Sequence, residues 1–203
     1  MQDGADLYFS CKSSIIEQIS FSALRAGDER AFRLLVAQYR QKVFNTAISM
    51  VQDRAAADDI AQDVFVSVYR SLASFNEQSS IATWIYRITV NKCLDYQRAK
   101  ERQKRMGFFG LLLNNEDERQ TDFDHPGIKL EQKELARQLF TAIATLPDNQ
   151  KTAFVLAHIE ALPQREIAEI MDMSLKGVES LLQRAKANLR KKLGEMYDRR
   201  KSN

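Results

Sequence analysis

The chain has 203 residues, a formal net charge of +3, 7 glycines and 3 prolines, a poverty of turn formers that argues against a many-stranded sheet protein. An apolar fraction of 44% supplies packed cores for one domain or two small ones, while no apolar run reaches the roughly 18–20 residues of a membrane span. The start, MQDGADLYFSCKSSIIEQ, lacks a basic segment followed by an apolar one, so no secretion signal is expected, and the distant Cys11 and Cys93 read as reduced thiols of a cytoplasmic protein.

Residues 1–20 form an N-terminal extension, and residues 21–98 read as helix after helix. DERAFRLLVAQYRQKVFNTAISMV opens on Asp28, a good N-cap, and spaces Phe32, Leu35, Val36, Tyr39, Val43, Ala47, Ile48 and Val51 at helical intervals. QDRAAADDIAQDVFVSVYRSL buries Ile60, Val64, Phe65, Val68, Tyr69 and Leu72. After the polar loop ASFNEQSS, Ser79 or Ser80 caps SSIATWIYRITVNKCLDYQR. At about 100° per residue, Ile81, Ile85, Tyr86, Ile88, Thr89, Val90 and Tyr96 fill one arc of that helix. Trp84, the one tryptophan, falls on the other arc with Arg87, Asn91, Asp95 and Arg98. An indole beside guanidiniums and a carboxamide is equipment for stacking on a base and holding a phosphate; the alternative is that Trp84 tucks sideways into the core.

Residues 101–127 change character. A short apolar run with Phe108, Phe109 and Leu111 to Leu113, then an acidic tract and a Pro-Gly turn, read as a linker whose apolar part docks on something. Helical periodicity returns over 128–197, and 198–203 is a basic tail. LPQREIAEIMDMSLKGVESLLQRAKANLRKKL has the shape of a helix-turn-helix. Pro163 suits the first position of a helix. Ile167, Ala168, Ile170 and Met171 face inward, and Ser174 caps a second helix that buries Val178, Leu181, Leu182, Ala185 and Leu189. Lys176, Glu179, Ser180, Gln183, Arg184 and Arg190 lie on or beside its outward strip, short and polar enough to enter a major groove.

The charge is unevenly spread. Arg87, Lys92, Arg98, Lys100, Arg102, Lys104 and Arg105 outnumber Asp95 and Glu101 in one stretch, and basic residues again dominate from Lys176 to Lys201. Two separate basic patches suggest two contacts with a polyanion. The fold expected is all-α, two small helical domains, 21–100 and 128–197, joined by the linker. Isolated His125 and His158 make a metal site improbable, and no cofactor is expected.

The two halves resemble a known arrangement. ADDIAQDVFVSVYRSLASF followed by SSIATWIYRITVNKCLDYQR is similar to sigma region two, and the helix-turn-helix to sigma region four. Their order, without an intervening domain, resembles the extracytoplasmic-function sigma factors of bacteria. The resemblance implies that Asp59, Gln62 and Asp63, with Val66 and Arg70 further along the helix, dock on the clamp coiled coil of the largest subunit of core RNA polymerase, with the polymerase flap as a further partner. It implies that the loop from Phe75 through Asn76 to Ser79 and Ser80 receives a base flipped from the minus-ten promoter element. Trp84, Arg87, Asn91 and Arg98 line the single strand. Lys176, Glu179, Ser180, Gln183, Arg184 and Arg190 belong to the helix that reads the minus-thirty-five duplex. Many relatives carry a basic residue in place of Glu179 and an arginine in place of Leu181, so the base preference of this helix is its own. An anti-sigma factor is a further expected partner. The function implied is an alternative sigma factor that recognises promoter DNA and promotes strand opening without covalent chemistry. Two rivals stand beside it. One is a helix-turn-helix transcriptional regulator with a helical N-terminal sensor domain, which would bind its operator tightly without polymerase. The other is a metal-dependent enzyme using Asp58, Asp59 and Asp63, which lacks partner ligands in the sequence.

Overall fold

A computed structural model describes residues 21–75, 79–110 and 133–201, and the regular structure of these residues is entirely helical. The first body comprises α1 (Phe21–Arg25), α2 (Glu29–Val51), α3 (Arg54–Ser71), a 3-10 turn (Leu72–Ser74) and α4 (Ile81–Gly110). The second comprises α5 (Lys133–Ala144), α6 (Asp148–His158), α7 (Gln164–Ile170) and α8 (Leu175–Lys201).

Local chemistry sets the starts of these helices. Asp28 accepts the Ala31 amide at 2.7 Å, Asp53 the Ala56 amide at 3.1 Å, Ser80 the Thr83 amide at 3.0 Å and Ser174 the Gly177 amide at 3.1 Å. Each satisfies a donor that the helix itself leaves open, a contribution of about 1 kcal/mol. Gln52 ends α2 in the left-handed conformation, at φ 53°, with its amide returned to the Ile48 carbonyl. Pro163 precedes α7 at the cap rather than occupying its first helical position.

Leu35, Val43 and Ile48 of α2 meet Val64 and Val68 of α3 and Ile85 of α4 in the first core; Ile143, Leu156, Ile167 and Val178 fill the second. The two bodies are packed together. α2 lies against α5 and α6, and α4 against α7, so the buried residues form one continuous cluster. This explains a feature that a single amphipathic stripe does not: Thr46, Ala47, Ile48, Ser49 and Met50 are buried in succession, because the end of α2 is covered on more than one side.

The helix carrying Trp84 outlasts the expected domain boundary. α4 continues through residues 101–110, where the sequence pattern places the start of the linker. AKERQKRM consists of strong helix formers, and Glu101 pairs with Arg105 one turn on at 3.9 Å. The remainder of the 101–127 linker, residues 1–20 and Asn76 lie outside the described residues.

Candidate nucleic-acid interface

The 3-10 turn and the start of α4 hold two aromatic rings together. Phe75 is buried, and the Trp84 ring lies against it with centroids 4.8 Å apart and planes inclined at 35°. Arg25 donates to the Phe75 carbonyl at 2.6 Å, tying α1 to the same corner. Trp84 is half-buried: the wheel's polar face and the sideways tuck are both partly realised, the ring resting on Phe75 and packed against the core while part of it stays exposed. Phe75, expected in the base-receiving loop, acts through its side chain as the platform beneath Trp84. Ser79 is half-buried and Ser80 exposed at the mouth of that loop, Ser80 being engaged with Thr83.

Down the same face of α4, Asn91 and Arg98 are exposed, and Arg98 pairs with Asp95 at 3.5 Å. Arg87 points instead toward the second body. Its guanidinium donates to the Glu169 carbonyl at 2.5 Å, at the end of α7 where helix carbonyls lack intrahelical partners. A cleft of about 380 Å³ lies between Arg87 and Asn91 of α4, Asn149 and Thr152 of α6, and Met171 and Asp172 after α7.

The helix-turn-helix is formed as its spacing implies. Ile167 and Ile170 are buried against Val178, Leu182, Ala185 and Leu189, with Ala168, Met171 and Leu181 half-buried. Gly177 sits close to the turn: a Cβ there would meet Ser174 Oγ at 3.3 Å and Met173 Cε at 3.4 Å. Lys176, Glu179, Gln183, Arg184 and Arg190 are exposed on α8. Half-buried Ser180 accepts a hydrogen bond from Arg184 at 2.7 Å, which fixes that guanidinium along the helix.

On α3, Asp59, Gln62, Asp63, Val66 and Arg70 form one exposed row at steps of three and four. Val66 is an apolar residue 47% exposed in the middle of it. Lys92 stands 3.8 Å from Asp63 in an exposed pair, which contributes little to stability. Beside the row, a groove of about 360 Å³ opens between α2 and α3, with Val36, Phe44 and Phe65 on its walls and Arg40, Asp58 and Gln62 at its rim. Among the described residues no group of three or more His, Cys, Asp or Glu side chains is placed to hold a metal ion, and none of these helices is long and apolar enough to cross a membrane.

Two further hydrogen bonds join the two bodies through residues to which the sequence reading assigned no site role. The Tyr86 hydroxyl donates to Glu160 Oε2 at 2.9 Å, and the Gln52 amide donates to the Phe140 carbonyl at 2.6 Å. Burial, with the neighbouring Glu160 carboxylate second, raises the Tyr86 hydroxyl pKa, so its proton stays on. Burial raises the Glu160 carboxyl as well, offset in part by the Tyr86 and Thr46 hydroxyls and by Lys42. The one sequence signal is Glu160 itself, an acid closing the apolar run AFVLAHIEAL. The buried thiol of Cys93 is pushed up to about 12 by desolvation, and His158 is lowered by burial and by Lys186.

Comparison with known proteins agrees with this geometry. Residues 35–103 match the Sigma-70 region 2 family and residues 136–189 the Sigma-70 region 4 family. The chain is 33% identical over 184 residues to the ECF RNA polymerase sigma-E factor of Haemophilus influenzae, covering 88% of this chain and 96% of that protein. It is 30% identical over 178 residues to the RNA polymerase sigma-H factor of Pseudomonas aeruginosa, covering 84% and 90%. Among solved structures it is similar to CnrH in complex with the cytosolic domain of CnrY, with a TM-score of 0.61, 25% identity, and 88% of this chain and 94% of that one covered. The RpoE sigma factor of Bartonella quintana, solved with the anti-sigma factor NepR, shares the fold at a TM-score of 0.61 and 18% identity, over 80% and 96%. With both sigma regions present in order and a relative matched along nearly its whole length, the chain belongs to the extracytoplasmic-function sigma factors and is an alternative sigma factor for transcription initiation.

Proposed function

We propose that this sigma factor divides promoter recognition and polymerase docking among three surfaces. The first is the upper part of α4, where Trp84, Arg87, Asn91 and Arg98, with Ser79 and Ser80 at its start and Asn76 in the preceding loop, take the melted minus-ten strand. The observation that carries this is the Trp84 ring seated on Phe75 at the head of a helix whose next polar positions are a guanidinium and a carboxamide. A ring backed by another ring is held at a fixed height, and a base unpaired beside it gains a stacking partner. Unpairing costs a few kcal/mol per base, and stacking on an aromatic returns roughly 1–3 kcal/mol. Cationic side chains add attraction to phosphate that weakens with salt. Opening is thereby driven by capture of the parted strand.

The second surface is α8, which reads the minus-thirty-five duplex with Lys176, Glu179, Ser180, Gln183, Arg184 and Arg190. Gln183 has the paired donor and acceptor that suit adenine, and Glu179 accepts from cytosine. The third is the α3 row, Asp59, Gln62, Asp63, Val66 and Arg70, where carboxylates around one exposed valine suit a basic coiled coil with an apolar seam. The likeness to CnrH bound to the cytosolic domain of CnrY supports a regulatory protein of the anti-sigma kind as a partner.

Permanganate footprinting of thymines in a promoter bound by reconstituted holoenzyme tests the first surface. Trp84→Ala and Asn91→Ala lower the reactivity of the opened segment while leaving the affinity for core polymerase unchanged. Equal opening by both variants and the parent would remove the strand assignment.

A further inference from the structure

The corner that carries the Phe75 and Trp84 rings is held from a distant part of the chain. α1 has five residues, too few to persist as a helix alone. Two features fix it. Leu24 is buried in the first core, and the chain leaves α1 through a tight turn. There Gly27 takes the left-handed conformation at φ 78°, its amide donates to the Leu24 carbonyl at 3.1 Å, and the Asp28 amide donates to the Ala23 carbonyl at 3.0 Å. Asp28 then caps α2 through its side chain. The short helix that ends on Arg25 is thereby joined firmly to the long α2, and Arg25 reaches from it to the 3-10 turn. Its Nη2 donates to the carbonyl of Phe75, 50 residues on, at 2.6 Å, while the Phe75 amide donates to the Leu72 carbonyl at 3.2 Å. Phe75 follows the turn in an extended conformation, φ −67° and ψ 116°, so its carbonyl has no place in a helical ladder and is met instead by the guanidinium. A charged donor makes this bond stronger than a neutral one. Residues 21–34 precede the segment that matches Sigma-70 region 2, which starts at residue 35.

We infer that Arg25 is a positioning residue for strand opening: by pinning the main chain of Phe75 it sets the height and tilt of the Trp84 ring, without itself touching the DNA. The inference rests on the strand-binding reading of α4. The Trp84 ring lies on Phe75 with centroids 4.8 Å apart, so rotation of the Phe75 peptide displaces the support of the indole. A base gains most from a ring already held in the right plane; a ring that must be ordered as the base arrives loses part of the stacking gain as conformational entropy. Phe75 is itself buried, so its ring tilts within the core when the pin is removed, and the change falls on orientation in preference to stability. Arg25 is exposed, which makes direct contact with a phosphate the rival role. The two roles differ in what they require. A phosphate contact needs the positive charge, whereas the pin needs the guanidinium's planar fork and its reach to one carbonyl.

The full-length chain has 1 tryptophan, so its emission reads the Trp84 ring directly, and permanganate footprinting of a promoter bound by reconstituted holoenzyme reads opening. Arg25→Met keeps the apolar stem and removes the donors. The expected result is emission at longer wavelength with faster quenching by acrylamide, and thymine reactivity in the opened segment lowered about tenfold, the equivalent of one hydrogen bond. Affinity for core polymerase, the thermal midpoint and the slope of log promoter affinity against log salt stay as in the parent. Arg25→Lys, charged but without the fork, recovers only part of both signals. Gly27→Ala keeps the guanidinium and strains the corner that aims it; it moves emission and opening in the same direction, and serves should Arg25→Met be poorly folded. Parent-like emission in Arg25→Met overturns the pin, and parent-like opening overturns its role in opening. Full recovery by Arg25→Lys, together with a salt slope reduced by about one unit in Arg25→Met, assigns Arg25 to a phosphate and overturns the inference as well. Trp84→Ala keeps the two readings apart: normal opening by that variant removes the strand reading itself, whereas a defect in Trp84→Ala with none in Arg25→Met removes the positioning role alone.

Discussion

Phe75 and Trp84 meet ring to ring at 4.8 Å, one residue buried at the end of a 3-10 turn and the other half-buried in the first turn of α4. The contact joins a packing residue to the residue proposed to stack on an unpaired base, so Phe75→Ala acts twice. Losing a buried aromatic costs about 3–5 kcal/mol, read as a lower urea midpoint. Trp84 also loses its backing, and its emission, unobscured because the chain has 1 tryptophan, moves to longer wavelength. Phe75→Leu restores most of the stability but little of the promoter opening.

Asp63→Arg on the exposed α3 row weakens binding to core polymerase by tenfold or more in a fluorescence titration, a loss of about 1.4 kcal/mol. Its pairing with Lys92 is exposed at 3.8 Å, so the thermal midpoint moves by no more than a degree or two. A large stability loss would show that the acid has a structural role.

The two kinds of contact on α8 separate by their salt dependence. Lys176→Ala lowers promoter affinity about equally for all sequences and reduces the slope of log affinity against log salt by about one unit. Gln183→Ala leaves the slope alone and relaxes preference at one base pair, by about 1–3 kcal/mol. Competition binding with single-base promoter variants at several salt concentrations reads both.

Packing of the two bodies depends on pH through Glu160, which accepts from Tyr86 across them. Burial raises its carboxyl above the ordinary 4.5, so the packed chain binds this proton more tightly than a chain with the two bodies apart. The contribution to packing is therefore fully present below the ordinary value and is lost as pH rises through the raised one. The groups facing Glu160 are Tyr86 on α4 and Thr46 and Lys42 on α2, with Glu166 and Tyr39 acting on Tyr86. Tyr86, raised by burial, keeps its proton across this range, so Glu160 sets the sign. Scattering measured from acid to neutral pH shows expansion as pH rises, and Glu160→Gln flattens the trend.

Cys93 is buried and its thiol is pushed up to about 12, leaving almost no thiolate at neutral pH. In a Cys11→Ser background, a disulfide reagent reacts with the native chain only as fast as it unfolds, and promptly in urea.

Much of the fold is legible in the chain itself. Asp28 and Ser174 announce their helices because an N-cap is a local event of three or four residues, and the stripe of Leu35, Tyr39 and Val43 announces its face because burial follows the helical period. The row from Asp59 to Arg70 and the outward residues of α8 are exposed surfaces in the structure, as their spacing implies. What escapes the sequence depends on contacts distant in the chain. Arg87 looks identical to Asn91 on a helical wheel, yet α7 claims one and leaves the other exposed. Gln52 reads as part of a polar break between helices; only the approach of α5 makes it a buried donor. The extent of α4 is hidden for a different reason: a change of composition after residue 100 suggests a tether, whereas helix propensity carries the rod on to Gly110.

That rod has a consequence for the DNA. Trp84 and Arg98 are fourteen residues apart on one unbroken helix, about 21 Å at 1.5 Å per residue. A helix neither stretches nor contracts to suit its target, so the lattice of bases it can engage has a fixed pitch. If α4 takes the melted strand as proposed, the promoter element is constrained in length as well as in letters: a nucleotide gained or lost within it puts every later base out of step with the side chain proposed for it.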